Sequence, residues 1–125
     1  HDLALKELQK AETITEPANF HMERARRLTM RAITWNNLGC FYKSTNKLHA
    51  ALEYLKKCSK LEYSGEIVAP NPASTEINIC VVLSRMGRHD VALDHCRRAL
   101  DHLHKERQES HEAEPRDDDA HPAQV

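Results

Sequence analysis

Large apolar side chains recur along this chain at intervals of three and four residues, the period of an amphipathic helix. In the first half of the chain they fall at Trp35, Leu38, Phe41 and Tyr42, so they form a stripe along one side of a helix. Gly39 lies inside this stripe. Glycine within a helix is less favourable than alanine by about 1 kcal/mol, so its presence predicts that a second helix approaches closely here.

The next apolar run has the composition expected of that second helix. Residues 44–46 are Ser, Thr and Asn, which favour a turn between the two runs. After the turn, small residues alternate with bulky ones at helical spacing. The small residues are Ala50, Ala51 and Cys58, and the bulky ones are Leu48, Leu52, Leu55 and Leu61.

Together the two runs have the form W-x2-L-G-x2-Y followed by A-x3-L-x2-C, which resembles the helix-turn-helix unit of the tetratricopeptide repeat family. A weaker copy follows 41 residues later. Aligning Ala92 with Ala51 places Cys80 at the Gly39 position and Glu76 at the Trp35 position. The residues that carry this second copy are Ile79, Leu83, Gly87, Ala92, Cys96 and Ala99.

A half copy precedes the main motif. Ala4, Leu8 and Ala11 have the spacing of Ala51, Leu55 and Cys58, 47 residues earlier. Both offsets exceed the family period of roughly 34 residues. Such long periods are similar to those of kinesin light chain repeats. The chain is therefore expected to begin halfway through a repeat, as a fragment or a capping helix.

The predicted fold is all-α, an antiparallel helix-pair solenoid of about five helices; strand-like alternation is nearly absent. Glu16-Pro17 predicts the end of the first helix. We divide the chain into a second helix of a partial or capping repeat (1–17), a repeat with an extended first helix (18–64), a second repeat (65–105) and an acidic disordered tail (106–125).

Charge and composition narrow the function further. The net charge of -1 divides into -4 from residue 105 onward and +3 on the body, which is too small an imbalance to predict a nucleic acid partner. No apolar run approaches the roughly 20 residues that span a bilayer, so no membrane partner is predicted. The four cysteines lie in helical patterns and are expected to be reduced, which favours a cytoplasmic protein. The similarity to long-period repeat families suggests a cytoskeletal or ciliary assembly.

The sequence predicts neither an enzyme nor a cofactor site. Nine histidines are scattered, none four residues from another, and His102 and His104 point to different sides of a helix. A metal site is therefore not expected. There is no glycine-rich phosphate loop, and the cysteines occupy small or apolar core positions rather than a nucleophile's setting.

The resemblance implies that the first helix of each pair lines a concave surface that binds a protein or peptide ligand, extended or helical. Asn37 and Asn78 fall at equivalent places, where their amides could hold the backbone of a bound segment; the alternative is that they bond a neighbouring helix or face water. The expected concave-face residues are Ile33, Asn36, Asn37, Cys40, Lys43, Ser74, Ile77, Asn78, Val81 and Arg85.

Other interpretations of the same chain stay open. A co-chaperone-type domain would need a basic cluster to clamp a terminal carboxylate, whereas this surface has only Lys43 and Arg85, toward the helix ends. The chain is also consistent with a structural fragment that stacks on its parent protein or forms a homodimer through its partial first repeat. Trp35 is expected in the core, and the arginines between Arg24 and Arg31 on a solvated face rather than in an anion site.

Overall fold

The computed structural model describes residues 2–14 and 24–113, and within these residues it contains five helices and no strand. The predicted all-α fold with five helices is therefore confirmed. The predicted break at Glu16-Pro17 and the helix start near residue 18 lie outside the described residues. The helices are α1 (Asp2–Ile14), α2 (Arg24–Ser44), α3 (Leu48–Glu62), α4 (Pro72–Arg85) and α5 (His89–Ala113).

The last helix is longer than the sequence indicated. We expected it to end near Lys105, where the apolar period stops, but α5 continues to Ala113. Residues 106–113 have good helix formers, such as Glu106, Arg107 and Gln108, so the helix continues as a solvated extension without a packed face. The rest of the expected tail, 114–125, lies outside the described residues.

The helices pack in sequence order. The closest pairs are α2 with α3 and α4 with α5; α3 also packs on α4, and α1 on α2. The two pairs have the same turn. Tyr42 and Lys43 accept from the backbone N–H groups of Lys47 and Asn46, and Leu83 and Ser84 accept in the same way from Arg88 and Gly87.

This turn is a Schellman motif, which needs one residue with positive φ after the helix. Asn46 (φ 62°) and Gly87 (φ 80°) occupy that position, 41 residues apart. The turn reverses the chain within three residues, so both helix pairs are antiparallel, as predicted.

Each helix pair has a tight contact at equivalent positions. A Cβ added at Gly39 would lie 2.5 Å from Cγ of Leu55, which is fully buried. The equivalent pair in the second repeat, 41 residues on, is Cys80 and Cys96, whose Cα atoms are 5.9 Å apart and whose sulfur atoms are joined in a disulfide. Our expectation that all four cysteines are reduced is wrong for this pair, because two helices that approach this closely place the facing sulfur atoms within bonding distance.

The core forms along these contacts in two clusters. The larger joins α3, α4 and α5 through buried residues such as Leu55, Ile79 and Leu83. The smaller joins Ala32 of α2 and Cys58 of α3 to Ile67 of the loop after α3, with Trp35 packed against it. Trp35 is half-buried, and its Nε1 donates to Glu12 of α1 at 2.8 Å.

The Gly39 contact generates a stability prediction. Gly39→Ala gains about 1 kcal/mol of helix propensity but forces a buried leucine to move, an overpacking expected near the upper end of about 1–3 kcal/mol. We expect a net loss of about 1–2 kcal/mol in the free energy of unfolding, measured by urea denaturation. Asn37→Ala, on an exposed position of the same helix, should keep or raise stability.

The pair Gly39→Ala and Leu55→Ala provides the internal check. Leu55→Ala alone should cost about 2–5 kcal/mol because it opens a cavity. The added methyl group at residue 39 occupies part of that cavity, so the double variant should be more stable than the sum of the single changes. Additive effects would mean that the two residues do not limit the approach of the helices.

Candidate functional site

The first helices of the two pairs, α2 and α4, lie side by side, and five of the predicted concave-face residues take part in bonds across the line where they meet. We call the solvent-facing part of this region, Ile33, Asn37, Ile77 and Val81, the α2/α4 surface. Ile33 is 44% exposed and Ile77 45%, Asn37 is exposed, and Val81 is half-buried. Of the remaining predicted residues, Asn36, Cys40, Lys43 and Ser74 are half-buried, Asn78 is buried and Arg85 is exposed.

Asn78 is committed to the contact between α4 and α2. Its Nδ2 donates to Oδ1 of Asn36 and to Sγ of Cys40, both at 3.2 Å, and its Oδ1 accepts from Nζ of Lys43 at 2.8 Å. Asn37, at the equivalent place in the first pair, is exposed. The two asparagines therefore have different surroundings, and Asn78 makes the helix-to-helix bonds of our alternative interpretation.

The two cationic residues among the predicted concave-face residues, Lys43 and Arg85, also make bonds within the chain. Nη1 of Arg85 donates to the backbone carbonyl of Lys43 at 3.2 Å, while the Lys43 ammonium binds Asn78. Together these bonds fix the position of α4 against the end of α2.

Two arginines of α2, Arg24 and Arg31, have partners that are consistent with a structural role. Arg24 forms an exposed ion pair with Glu66 of the loop at 2.8 Å, and the Arg31 guanidinium lies 5.4 Å from the centre of the Trp35 ring. Exposed pairs of this kind contribute little stability, on the order of 0–1 kcal/mol.

A buried carboxyl group replaces the motif tryptophan in the second pair. Glu76 is fully buried; its Oε1 accepts from the Tyr63 hydroxyl at 2.7 Å, and its Oε2 pairs with Nδ1 of His95 at 2.5 Å. The Tyr63 hydroxyl also lies 2.7 Å from Nε2 of His102. Burial raises the pKa of Tyr63, and the hydrogen bond to Glu76 raises it further. The hydroxyl therefore stays protonated and donates a hydrogen bond to the carboxyl group. This network joins the end of α3 to both α4 and α5.

A second buried carboxyl group, Glu62, lies at the end of α3. Its Oε1 accepts from Sγ of Cys58 and its Oε2 from the backbone N–H of Asn71, both at 3.3 Å. Burial raises the pKa of the Cys58 thiol to about 12, so this thiol is a donor to Glu62 at neutral pH. Asn71 in turn caps α4, because its side chain accepts from the backbone N–H of Ser74 at 3.2 Å and Pro72 follows at the first helical position.

Sequence reasoning placed Glu76 at the tryptophan position but assigned no role to Glu62. A signal for Glu62 exists: it continues the stripe of Leu55 and Cys58 at helical spacing, where an apolar residue is expected, and the equivalent residue in α5 is Leu103. A charged residue in the register of an apolar stripe indicates a buried charge.

The described residues hold no group of three or more His, Cys, Asp or Glu side chains arranged to bind a metal ion. None of the five helices combines the length and apolar character that crossing a bilayer requires.

Comparison with protein families gives one match. The tetratricopeptide repeat model matches residues 32–64. This segment runs from the middle of α2 to the end of α3 and supports a tetratricopeptide repeat in the first helix pair. No curated protein and no solved structure matches the chain, so no comparison supports the expected similarity to kinesin light chain repeats.

The α4–α5 pair lies outside the matched segment. Its likeness to the first pair rests on the repeated turn, the equivalent close contact and the common offset of 41 residues. The tetratricopeptide repeat is generally a protein-interaction unit, and the match supports that general function for this chain.

The Glu76 network leads to a second prediction. Tyr63→Phe removes a donor from a buried carboxyl group, so it should lower the free energy of unfolding by about 1–2 kcal/mol in urea denaturation. Tyr54→Phe is the matched control, because Tyr54 stacks on Tyr42 and its hydroxyl has no hydrogen bond among the described residues. Equal stabilities of the two variants would contradict the role given to the Tyr63 hydroxyl.

Proposed function

We propose that this chain is a non-catalytic protein-interaction module that binds an extended or helical peptide segment along the α2/α4 surface. The observation that supports the proposal is the exposure of Ile33 on α2 and Ile77 on α4, two helices whose line of contact is polar and internally bonded. A ligand bound on this surface would cover these apolar side chains. Full burial of one isoleucine side chain contributes about 1.5–3 kcal/mol to the free energy of binding.

The roles within the surface differ from one residue to the next. Apolar side chains of the ligand would contact Ile33, Ile77 and Val81. The side chain of Asn37 is exposed, so its amide could form hydrogen bonds with the backbone of the ligand. Asn78, Asn36 and Lys43 would act indirectly, because their mutual bonds set the spacing of the two helices. A co-chaperone-type carboxylate clamp is less favoured, since Lys43 and Arg85 are engaged within the chain.

A peptide-selection experiment tests the proposal. Peptides are selected from a phage-displayed random library on the immobilised chain, and the affinity of a selected peptide is measured by fluorescence anisotropy. Ile33→Glu and Ile77→Glu should each weaken binding at least tenfold, which corresponds to about 1.4 kcal/mol. Leu100→Glu places the same charge on an exposed apolar residue of α5 and should leave the affinity unchanged. Unchanged affinity in both isoleucine variants would overturn the assignment of the surface.

A second candidate, self-association, is favoured by the outer face of α5. Leu52 of α3 is covered by α4 and only 7% exposed, whereas its equivalent in α5, Leu93, is 52% exposed, and Leu100 and Leu103 are exposed beside it. This face corresponds to the one that receives the next helix in the first repeat. A second copy that stacks on α5 would cover it, in place of the partial first repeat that the sequence suggested.

Sedimentation velocity over a range of protein concentrations tests this candidate. A sedimentation coefficient that rises with concentration in the original chain and stays constant in Leu100→Glu would support stacking through α5. Ile77→Glu serves as the control and should behave like the original chain. A monomer at every concentration would contradict self-association.

A further inference from the structure

A small cleft lies between α2, α3 and the first turn of α4, next to the α2/α4 surface. Its volume is about 180 Å³, and its walls include Ile33 and Asn36 of α2, Cys58 and Glu62 of α3, and Asn71 and Thr75 at the start of α4. Since a water molecule takes about 30 Å³ of the liquid, the cleft has room for about six waters or for one extended side chain.

Glu62 is the only acidic residue among the walls of this cleft, and its bonding is incomplete. It is only 8% exposed, yet its two donors, the Cys58 thiol and the Asn71 backbone N–H, are neutral and 3.3 Å away. Among the described residues, no Lys, Arg or His forms an ion pair with it. A carboxylate has about four acceptor positions, so about two remain open.

Among the residues that the structure describes, the other buried carboxyl group is that of Glu76, and its environment is complete. Glu76 accepts at 2.7 Å from Tyr63 and at 2.5 Å from His95, a side chain that can itself carry a positive charge. Glu62 accepts from one thiol and from one backbone N–H at 3.3 Å, neither of which can carry a positive charge, and an open volume lies beside it. A carboxylate held away from water is unfavourable unless a cation or strong donors compensate it.

The walls of the cleft select the kind of cation. A metal ion would need several ligands, and the described residues contain no metal-binding group of three. An organic cation brings its own N–H donors, three in an ammonium group and five in a guanidinium group. The apolar side chain of Ile33 at the same cleft suits the methylene stem of such a group.

We propose that this cleft binds the cationic side chain of a lysine or arginine in the peptide segment, with Glu62 as the counter-charge. The identity of the carrier as a peptide rests on the proposed function, while the cation site itself does not. Because Ile33 and Asn36 belong both to the cleft and to the line along which α2 and α4 meet, a segment lying on the α2/α4 surface passes beside the cleft.

Nuclear magnetic resonance titration of the ¹⁵N-labelled chain tests the site with small probes. The probes are n-butylammonium chloride, an analogue of lysine, n-butylguanidinium chloride, an analogue of arginine, and n-butanol, a neutral molecule of similar length, all at constant chloride concentration. We expect saturable shifts of the Asn71 backbone and Asn36 side-chain signals with at least one cation, at concentrations at least tenfold below those needed with n-butanol. The more tightly bound cation identifies the preferred side chain.

Two variants on α3 locate the charge. Glu62→Gln keeps the shape of the side chain and should weaken cation binding at least tenfold, whereas Glu53→Gln, an exposed change on the same helix, should have no effect. Equal responses to the cations and to n-butanol, or cation binding that survives Glu62→Gln, would overturn the proposal. If Glu62→Gln does not fold, as judged by circular dichroism, the comparison of cations with n-butanol on the unaltered chain still decides.

The result of the cation titration can be distinguished from the result of the peptide selection. Cation binding in the absence of any selected peptide would leave the cleft standing and refute the peptide-binding function. Peptide binding to the α2/α4 surface without cation binding in the cleft would refute the cleft alone.

Discussion

The close approach of the two helices within each pair determines how the other helices of the molecule pack. In the first pair it requires the absence of a side chain at Gly39, since a Cβ there would collide with Leu55. In the second pair Cys80 and Cys96 occupy the equivalent positions and are covalently joined. The same close contact is thus made possible by a glycine in one pair and by a disulfide in the other. The turn that follows the first helix is the same in both pairs, and it sets the alignment of the second helix against the first.

Close packing within the pairs determines what lies between them. Because α3 packs against α2, the opposite face of α3 is available to pack against α4. The hydrogen bonds of Asn78 then fix α4 beside α2. The same arrangement buries Glu62 and Glu76 in places where the helical stripes call for apolar residues. Glu76 is compensated by Tyr63 and His95, which stabilises the fold. Glu62 is left with neutral donors beside an open cleft, and this difference separates a structural carboxyl group from one suited to a ligand.

Much of the fold could be predicted from the sequence because it depends on local patterns. The apolar stripe around Trp35, the glycine within it and the Ser-Thr-Asn turn predict one helix pair directly, and the offset of 41 residues extends the prediction to the second. The disulfide could not be predicted, since the alternative of two reduced core cysteines has the same sequence pattern. Its possibility becomes visible only when the offset pairs Cys80 and Cys96 with Gly39 and Leu55 and the distances are known.

The site was harder to predict because burial depends on which elements lie against a residue. Asn37 and Asn78 occupy equivalent positions in the sequence of the two repeats. Asn78 is buried against a neighbouring helix, α2, whereas Asn37 is exposed. Glu62 is the last residue of α3 and is buried where the following loop returns to Asn71, and no periodicity within α3 reveals how that loop folds.

A crystal structure of the chain bound to a selected peptide would show whether the α2/α4 surface and the Glu62 cleft bind the same ligand. We expect a peptide that lies along α2 and α4, contacts Ile33 and Ile77, and places a lysine or arginine nitrogen within hydrogen-bonding distance of the Glu62 carboxyl group. A peptide seated on α5, or one that leaves the Glu62 cleft empty while its lysine or arginine side chains point to solvent, would contradict this expectation.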